Sequence, residues 1–152
     1  MNQNLVVIAE DDREVRDVLS FAVESAGHRA IGVRDGRTAL RVLLVARPVA
    51  LITDVLKPDM NGLELCRLAR DSGDGRTAIL MVSANAHQHD MRAGLRAGAD
   101  RYLTKPVISQ QLVAEMRDVI TARGTVAAIT APNGAAGIGD NPRGLEGAPS
   151  AG

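Results

Sequence analysis

The sequence predicts an α/β protein built on a five-stranded parallel sheet with helices on both faces. Short apolar runs alternate five times with stretches whose apolar residues recur at helical spacing. Two of those runs, "VALIT" at 49–53 and "AILMV" at 78–82, are unbroken, which suits central strands buried on both sides. The chain has 152 residues and is 45% hydrophobic, enough for one domain with a proper core and a short segment to spare.

Each unit follows from its own residues. The run "LVVIA" at 5–9 reads as the first strand, and Val15, Val18, Leu19, Ala22, Val23 and Ala26 then fall at helix spacing, with Gly27 as the stop. "HRAIGV" reads as the second strand. Asp35 can cap the second helix, which carries Leu40, Leu43 and Leu44 and ends at the breaker pair Arg47-Pro48. The third strand at 49–53 precedes a helix around 61–71, the fourth at 78–82 precedes one near 88–97, and "DRYLT" precedes a fifth at 109–123. Residues 124–152 differ in kind, with seven Gly, seven Ala and three Pro among them and few large side chains to bury. They are expected to form a disordered tail behind a domain of residues 1–123. A continuation of the fifth helix through "TVAAIT" is the alternative, and Pro132 would stop it.

Composition narrows the functional classes. Eighteen basic residues balance eighteen acidic ones, so there is no electrostatic footprint for nucleic acid or an anionic membrane surface. Cys66 is the only cysteine, no apolar run approaches membrane-spanning length, and "MNQN" is not a basic leader before a hydrophobic stretch. The expectation is a cytoplasmic protein that chooses its partners by local shape and chemistry, with neither nucleic acid nor membrane among them.

In an open parallel sheet, ligands bind beyond the carboxyl ends of the strands. Four of those positions are chemically loaded: Glu10-Asp11 after the first strand, Asp54 after the third, Ser83 after the fourth and Lys105 after the fifth. Carboxylates about 4 Å apart repel by roughly 4 kcal/mol at an effective dielectric near 20, so the acids call for a cation. All-oxygen donors without His or Cys favour Mg²⁺. Asp12, immediately before "REVRDVL", suits a helix cap instead. The chain carries sixteen Arg and two Lys, so a lysine at 105 stands out; a compact ammonium suits a narrow phosphate site as a point charge. The histidines of "AHQH" lack further ligands and read as a polar loop.

These residues together resemble the receiver domain of two-component response regulators over about residues 4–123. "IAEDD" is similar to that family's acidic cluster, "LITDVLKPDMNGLEL" to its phosphoacceptor loop, "MVSA" to its Ser/Thr switch strand and "GADRYLTKP" to its aromatic-plus-lysine motif. The resemblance implies a flavodoxin-like fold with strand order 2-1-3-4-5. It implies that Asp54 accepts a phosphoryl group from a histidine kinase or a histidine phosphotransfer protein. It places Mg²⁺ on Asp11, Asp54 and the Leu56 carbonyl, with Glu10 acting through water, and sets Lys105 against a phosphoryl oxygen beside a cis Lys105-Pro106 bond. Ser83 and Tyr102 match the switch pair, and the output surface is the fourth helix, fifth strand and fifth helix. Such a protein is no enzyme beyond catalysing its own phosphorylation and dephosphorylation. No output domain follows Arg123, so the implied role is a stand-alone regulator that passes its signal by protein contact. Lys57 departs from the family, which more often has Met or Leu there. A phosphatase of the haloacid dehalogenase type also uses an Asp nucleophile with Mg²⁺, but it needs a second Asp two residues on, where this chain has Leu56.

Overall fold

The computed structural model describes residues 2–55, 59–72 and 75–130. Strands and helices alternate from end to end: β1 (Asn2–Ala9), α1 (Arg13–Ser25), β2 (Arg29–Val33), α2 (Gly36–Ala46), β3 (Pro48–Thr53), α3 (Gly62–Ser72), β4 (Ala78–Ser83), α4 (Gln88–Arg96), β5 (Arg101–Thr104) and α5 (Ser109–Thr130). The strands form one parallel sheet in the order β2-β1-β3-β4-β5. This is the flavodoxin-like order, and its direction of winding reverses between β1 and β3, where a crevice opens at the carboxyl ends.

Alternation along each strand sends successive side chains to opposite faces, so a sheet covered on both sides has two cores. Val6 and Ile8 of β1 join Ala50, Ile52, Leu80 and Val82 in one core, closed by Leu19, Ala22 and Val23 of α1 and by Leu112, Met116 and Val119 of α5. Val7 and Ala9 join Leu51, Ile79 and Met81 in the other, closed by Ala39 and Leu43 of α2 and by Leu65 and Cys66 of α3. Leu112 and Met116 are fully buried, a burial that stabilises by about 1.5–3 kcal/mol per side chain. β3 and β4 are buried at every position, which is why their sequences run apolar up to Thr53 and Ser83 at their ends.

Side chains just outside the helices fix where they begin. Asp12 accepts from the backbone N–H groups of Glu14 and Val15 at 2.9 and 3.2 Å, Asp35 from that of Thr38 at 2.7 Å, and Asn61 from that of Glu64 at 2.8 Å. Arg47 ends α2 in the left-handed region, and Pro48 opens β3, where a missing N–H is tolerated.

Two boundaries differ from the sequence expectation by more than one residue. β1 begins at Asn2 instead of residue 5, and α5 continues past Arg123 to Thr130, so residues 124–130 are helical. Gly124 costs a helix only about 1 kcal/mol relative to Ala, and no proline follows before Pro132, so one glycine does not stop the last turns. Residues 131–152, the remainder of the expected tail, lie outside the described residues.

Candidate functional site

Register brings the loaded residues to one edge. Ala9 pairs with Thr53, Thr53 with Met81, and Ser83 with Thr104, so Glu10, Asp54, Ser83 and Lys105 end or follow neighbouring strands. Backbone bonds extend the pairing beyond the strands: Asp54 N–H donates to Ala9 at 3.2 Å and Lys105 N–H to Ser83 at 2.8 Å. The Lys105–Pro106 peptide bond is cis.

The acids and the lysine meet there. Lys105 Nζ lies 2.8 Å from Asp54 Oδ2 and 2.8 Å from Glu10 Oε1, forming an ion pair with each. Glu10 is buried, 1% exposed, and its second oxygen accepts from the Asp12 N–H at 3.1 Å. Asp54 Oδ1 accepts from the Val55 N–H at 2.6 Å. Burial works against the Lys105 ammonium, but the hydrogen bonds to Asp54 and Glu10 and their negative charges outweigh it, so its pKa lies above the ordinary lysine value.

Asp11 is exposed beside this pair, and one carboxylate oxygen from each of Glu10, Asp11 and Asp54 lies within 4.8 Å of the others. Three hard oxygen donors converging on a partly open crevice fit a small divalent cation that keeps some of its water. Leu56, whose carbonyl the family resemblance adds to this set, lies outside the described residues, as does Lys57.

A cavity of about 500 Å³ opens beside Asp54, bounded by Ser83, Asn85, Ala93 and Tyr102. Ser83 is buried, and its hydroxyl oxygen accepts from the Asn85 N–H at 3.2 Å. The Tyr102 ring is buried against Gly94, and its hydroxyl donates to the Asn85 carbonyl at 2.9 Å. Both residues therefore touch one loop segment at the rim of the cavity that Asp54 also lines.

Three further residues shape the site without having stood out in the sequence. Gly62 starts α3 against the Asp54–Val55 segment: its N–H donates to Val55 at 2.7 Å, and a Cβ there would run into the Asp54 carbonyl oxygen. The Asp59 carboxylate accepts from the Gly36 and Arg37 N–H groups at 2.9 and 3.0 Å, which docks the loop after Asp54 onto the start of α2. These N–H bonds, that of Gly36 foremost, hold the Asp59 pKa below the ordinary carboxylate value against partial desolvation. The Arg16 guanidinium donates to the Glu10 carbonyl at 2.8 Å. A glycine inside β2 was the one hint of that contact, since strand glycines often mark a close approach.

A sheet wound in this order, with acids, a hydroxyl and a lysine gathered at its carboxyl edge, defines a receiver-type α/β domain, and the family comparison agrees. The response regulator receiver domain matches residues 6–117, and the chain belongs to that family. Among curated proteins it is similar to the response regulator MprA of Mycolicibacterium vanbaalenii, 38% identical over 115 residues, covering 76% of this chain and 49% of that protein. It thus spans about half the length of the curated relatives it matches. Among solved structures, a CheY-like receiver domain protein from Methanospirillum hungatei superposes with a TM-score of 0.76 at 23% identity, over 82% of this chain and 99% of that one. The receiver domain of a sensor histidine kinase from Pseudomonas aeruginosa, described with a magnesium ion coordinated in its active-site cleft, superposes with a TM-score of 0.71 at 28% identity, over 78% and 98%. Among the described residues no helix is long and apolar enough to cross a membrane.

Proposed function

We propose that the chain acts as a phosphorylatable receiver: Asp54 takes a phosphoryl group from a phosphohistidine on a sensor kinase or phosphotransfer protein and returns it to water later. The observation that carries this reading is the Lys105 ammonium 2.8 Å from the Asp54 carboxylate, inside the acidic cluster and beside an open cavity. An Asp54 oxygen would attack phosphorus in line, forming the P–O bond as the P–N bond to the imidazole breaks. Lys105, held as a cation, would face one of the phosphoryl oxygens. Ser83, on the cavity wall, would donate its hydroxyl to another.

The carboxylates of Asp11 and Asp54, the Leu56 carbonyl and, through water, Glu10 would hold Mg²⁺. Bound there, the ion supplies positive charge where the transferring group is most negative. Glu10 and Asp54 share Lys105 in the structure, so a cation joining them would relieve part of the repulsion among three acids.

Output in this reading is by contact. A phosphoryl group near Ser83 would draw its hydroxyl away from the Asn85 N–H and change the loop that Tyr102 holds. That loop leads into α4, so the surface expected to respond is α4, β5 and α5, read by a downstream protein. Signalling by protein contact within the cytoplasm completes the proposal. The carrying test is acyl-phosphate labelling: Asp54→Asn should abolish stoichiometric incorporation from a small phosphodonor in Mg²⁺ at wild-type folding. Labelling that persists in the folded variant would overturn the assignment. A transfer profile against candidate histidine kinases would then name the donor.

A further inference from the structure

We infer that Arg16 is a positioning residue for the metal end of the site, holding the backbone on which Glu10 and Asp11 present their carboxylates, and that Gly32 exists to let it pass. The inference rests on the magnesium reading above and deepens it. Arg16 lies near the start of α1, where the helix dipole disfavours a cation, so its place calls for a compensating contact. That contact is the β1–α1 turn. Arg16 Nη1 donates to the Glu10 carbonyl at 2.8 Å and reaches the Asp11 carbonyl at 3.5 Å.

Glu10 has other anchors: its N–H donates to Val33 at 3.0 Å, and its carboxylate meets Lys105 and the Asp12 N–H. Asp11 is exposed, and its carboxylate is the one in the cluster that Lys105 does not hold. The direction of that carboxylate therefore depends on the backbone at 10–12, which Arg16 fastens from one side and the Asp12 cap from the other.

Gly32 supplies an independent observation. It pairs with Ile8 in the sheet, and a Cβ on it would lie 3.0 Å from both Cγ and Cδ of Arg16. Contact that close displaces one side or the other. A single Cβ at 32 asks the Arg16 stem to give by a few tenths of an ångström, and the two methyl groups of a valine ask for more, while leaving every donor, charge and ligand of the site in place.

Residues that orient metal ligands typically change affinity by about 10–100-fold when lost. The experiment measures Mg²⁺ affinity of the full chain from the concentration dependence of amide shifts, for wild type, Arg16→Ala, Arg16→Lys and Gly32→Val. The half-saturating Mg²⁺ concentration should rise about tenfold in Arg16→Ala and in Gly32→Val, and less in Arg16→Lys, which keeps one donor. The Mg²⁺ concentration giving half-maximal phosphodonor labelling should rise in parallel, with the maximal rate within about twofold of wild type. Gly32→Val keeps both the charge and the donors, so it reads the inference even where Arg16→Ala fails to fold. Wild-type affinity in folded Gly32→Val would overturn the inference alone, and so would tighter binding in Arg16→Ala, which would make Arg16 a mere opposing charge. No Mg²⁺ binding by wild type would overturn the magnesium reading and this inference with it.

Discussion

Lys105 Nζ stands 2.8 Å from Asp54 and 2.8 Å from Glu10, so a single ammonium joins the third strand's acid to the first strand's. Removing it leaves a buried Glu10 facing Asp54 without a cation between them. Lys105→Met should therefore lower stability at pH 7 by about 1–3 kcal/mol, below the usual cost of breaking a buried pair because water reaches the lysine. The folded-state pKa of Lys105 is raised, so its contribution is complete below about 10.4 and fades as pH climbs through the higher folded value. The melting-temperature gap between wild type and variant should accordingly be flat from pH 7 to 9 and close at more alkaline pH. Mg²⁺ should raise the melting temperature of the variant more than that of wild type, because it supplies the missing charge. Equal shifts would mean that Mg²⁺ and Lys105 do not share these acids, and no shift in either protein that cations do not bind among them.

Far from the cleft, Asp100 gathers its own set of donors. Its Oδ2 accepts from Arg70 at 2.8 Å and from the Ile79 N–H at 2.9 Å, and its Oδ1 accepts from Arg123 Nη2 at 2.6 Å and Nε at 3.0 Å. Burial lowers the Arg70 pKa while Asp100 opposes that effect. Asp100→Ala strands two half-buried guanidinium groups and a backbone N–H, and should cost about 3 kcal/mol in a urea titration. Labelling of the remaining folded protein should not change, since none of these groups reaches Asp54. Loss of labelling at wild-type stability would contradict this separation.

The difference between those two clusters explains what could be read in advance. Strand ends are legible because β3 and β4 run apolar until a hydroxyl residue closes each, Thr53 and Ser83, which places Asp54 and Ser83 at the sheet edge by counting alone. Lys105 stands out against sixteen arginines. What joins these residues is not legible: Lys105 and Glu10 lie 95 positions apart, and their contact depends on the register of four strands. The Arg16 path over Gly32 and the Asp59 cap on α2 likewise cross between elements that no local pattern links. The end of α5 was legible only as an alternative, because the Gly, Ala and Pro content of residues 124–152 describes the whole stretch and does not locate where within it the helix through "TVAAIT" ends.

Cys66 should be inert while the protein is folded. It is fully buried on the inner face of α3, and burial pushes its pKa up to about 11, so the thiolate is scarce at pH 8 and out of reach. A thiol-reactive chromophore should give no measurable reaction over an hour in buffer and one equivalent in denaturant. Rapid native-state reaction would show that α3 opens locally, well below the cost of global unfolding.

The lifetime of the phosphorylated state should depend on Leu56, which follows Asp54 by two residues. Hydrolysis needs a water in line with phosphorus and a group that can hold it there, and an isobutyl side chain can only exclude it. Asn85, two residues after Ser83, is the other candidate, but its side-chain oxygen already accepts from the His87 N–H at 3.0 Å. Its carbonyl is held as well, by the Tyr102 hydroxyl at 2.9 Å. With one candidate apolar and the other's side-chain oxygen engaged, self-hydrolysis should be slow without being absent. Leu56→Asn should then speed the decay about tenfold, equivalent to roughly 1.4 kcal/mol of barrier. The measurement is the loss of labelled protein after donor removal in excess Mg²⁺, with wild type and variant matched for folding. Decay in the variant that is equal or slower would show that water access is limited elsewhere, and would turn attention to the Asn85–His87 contact.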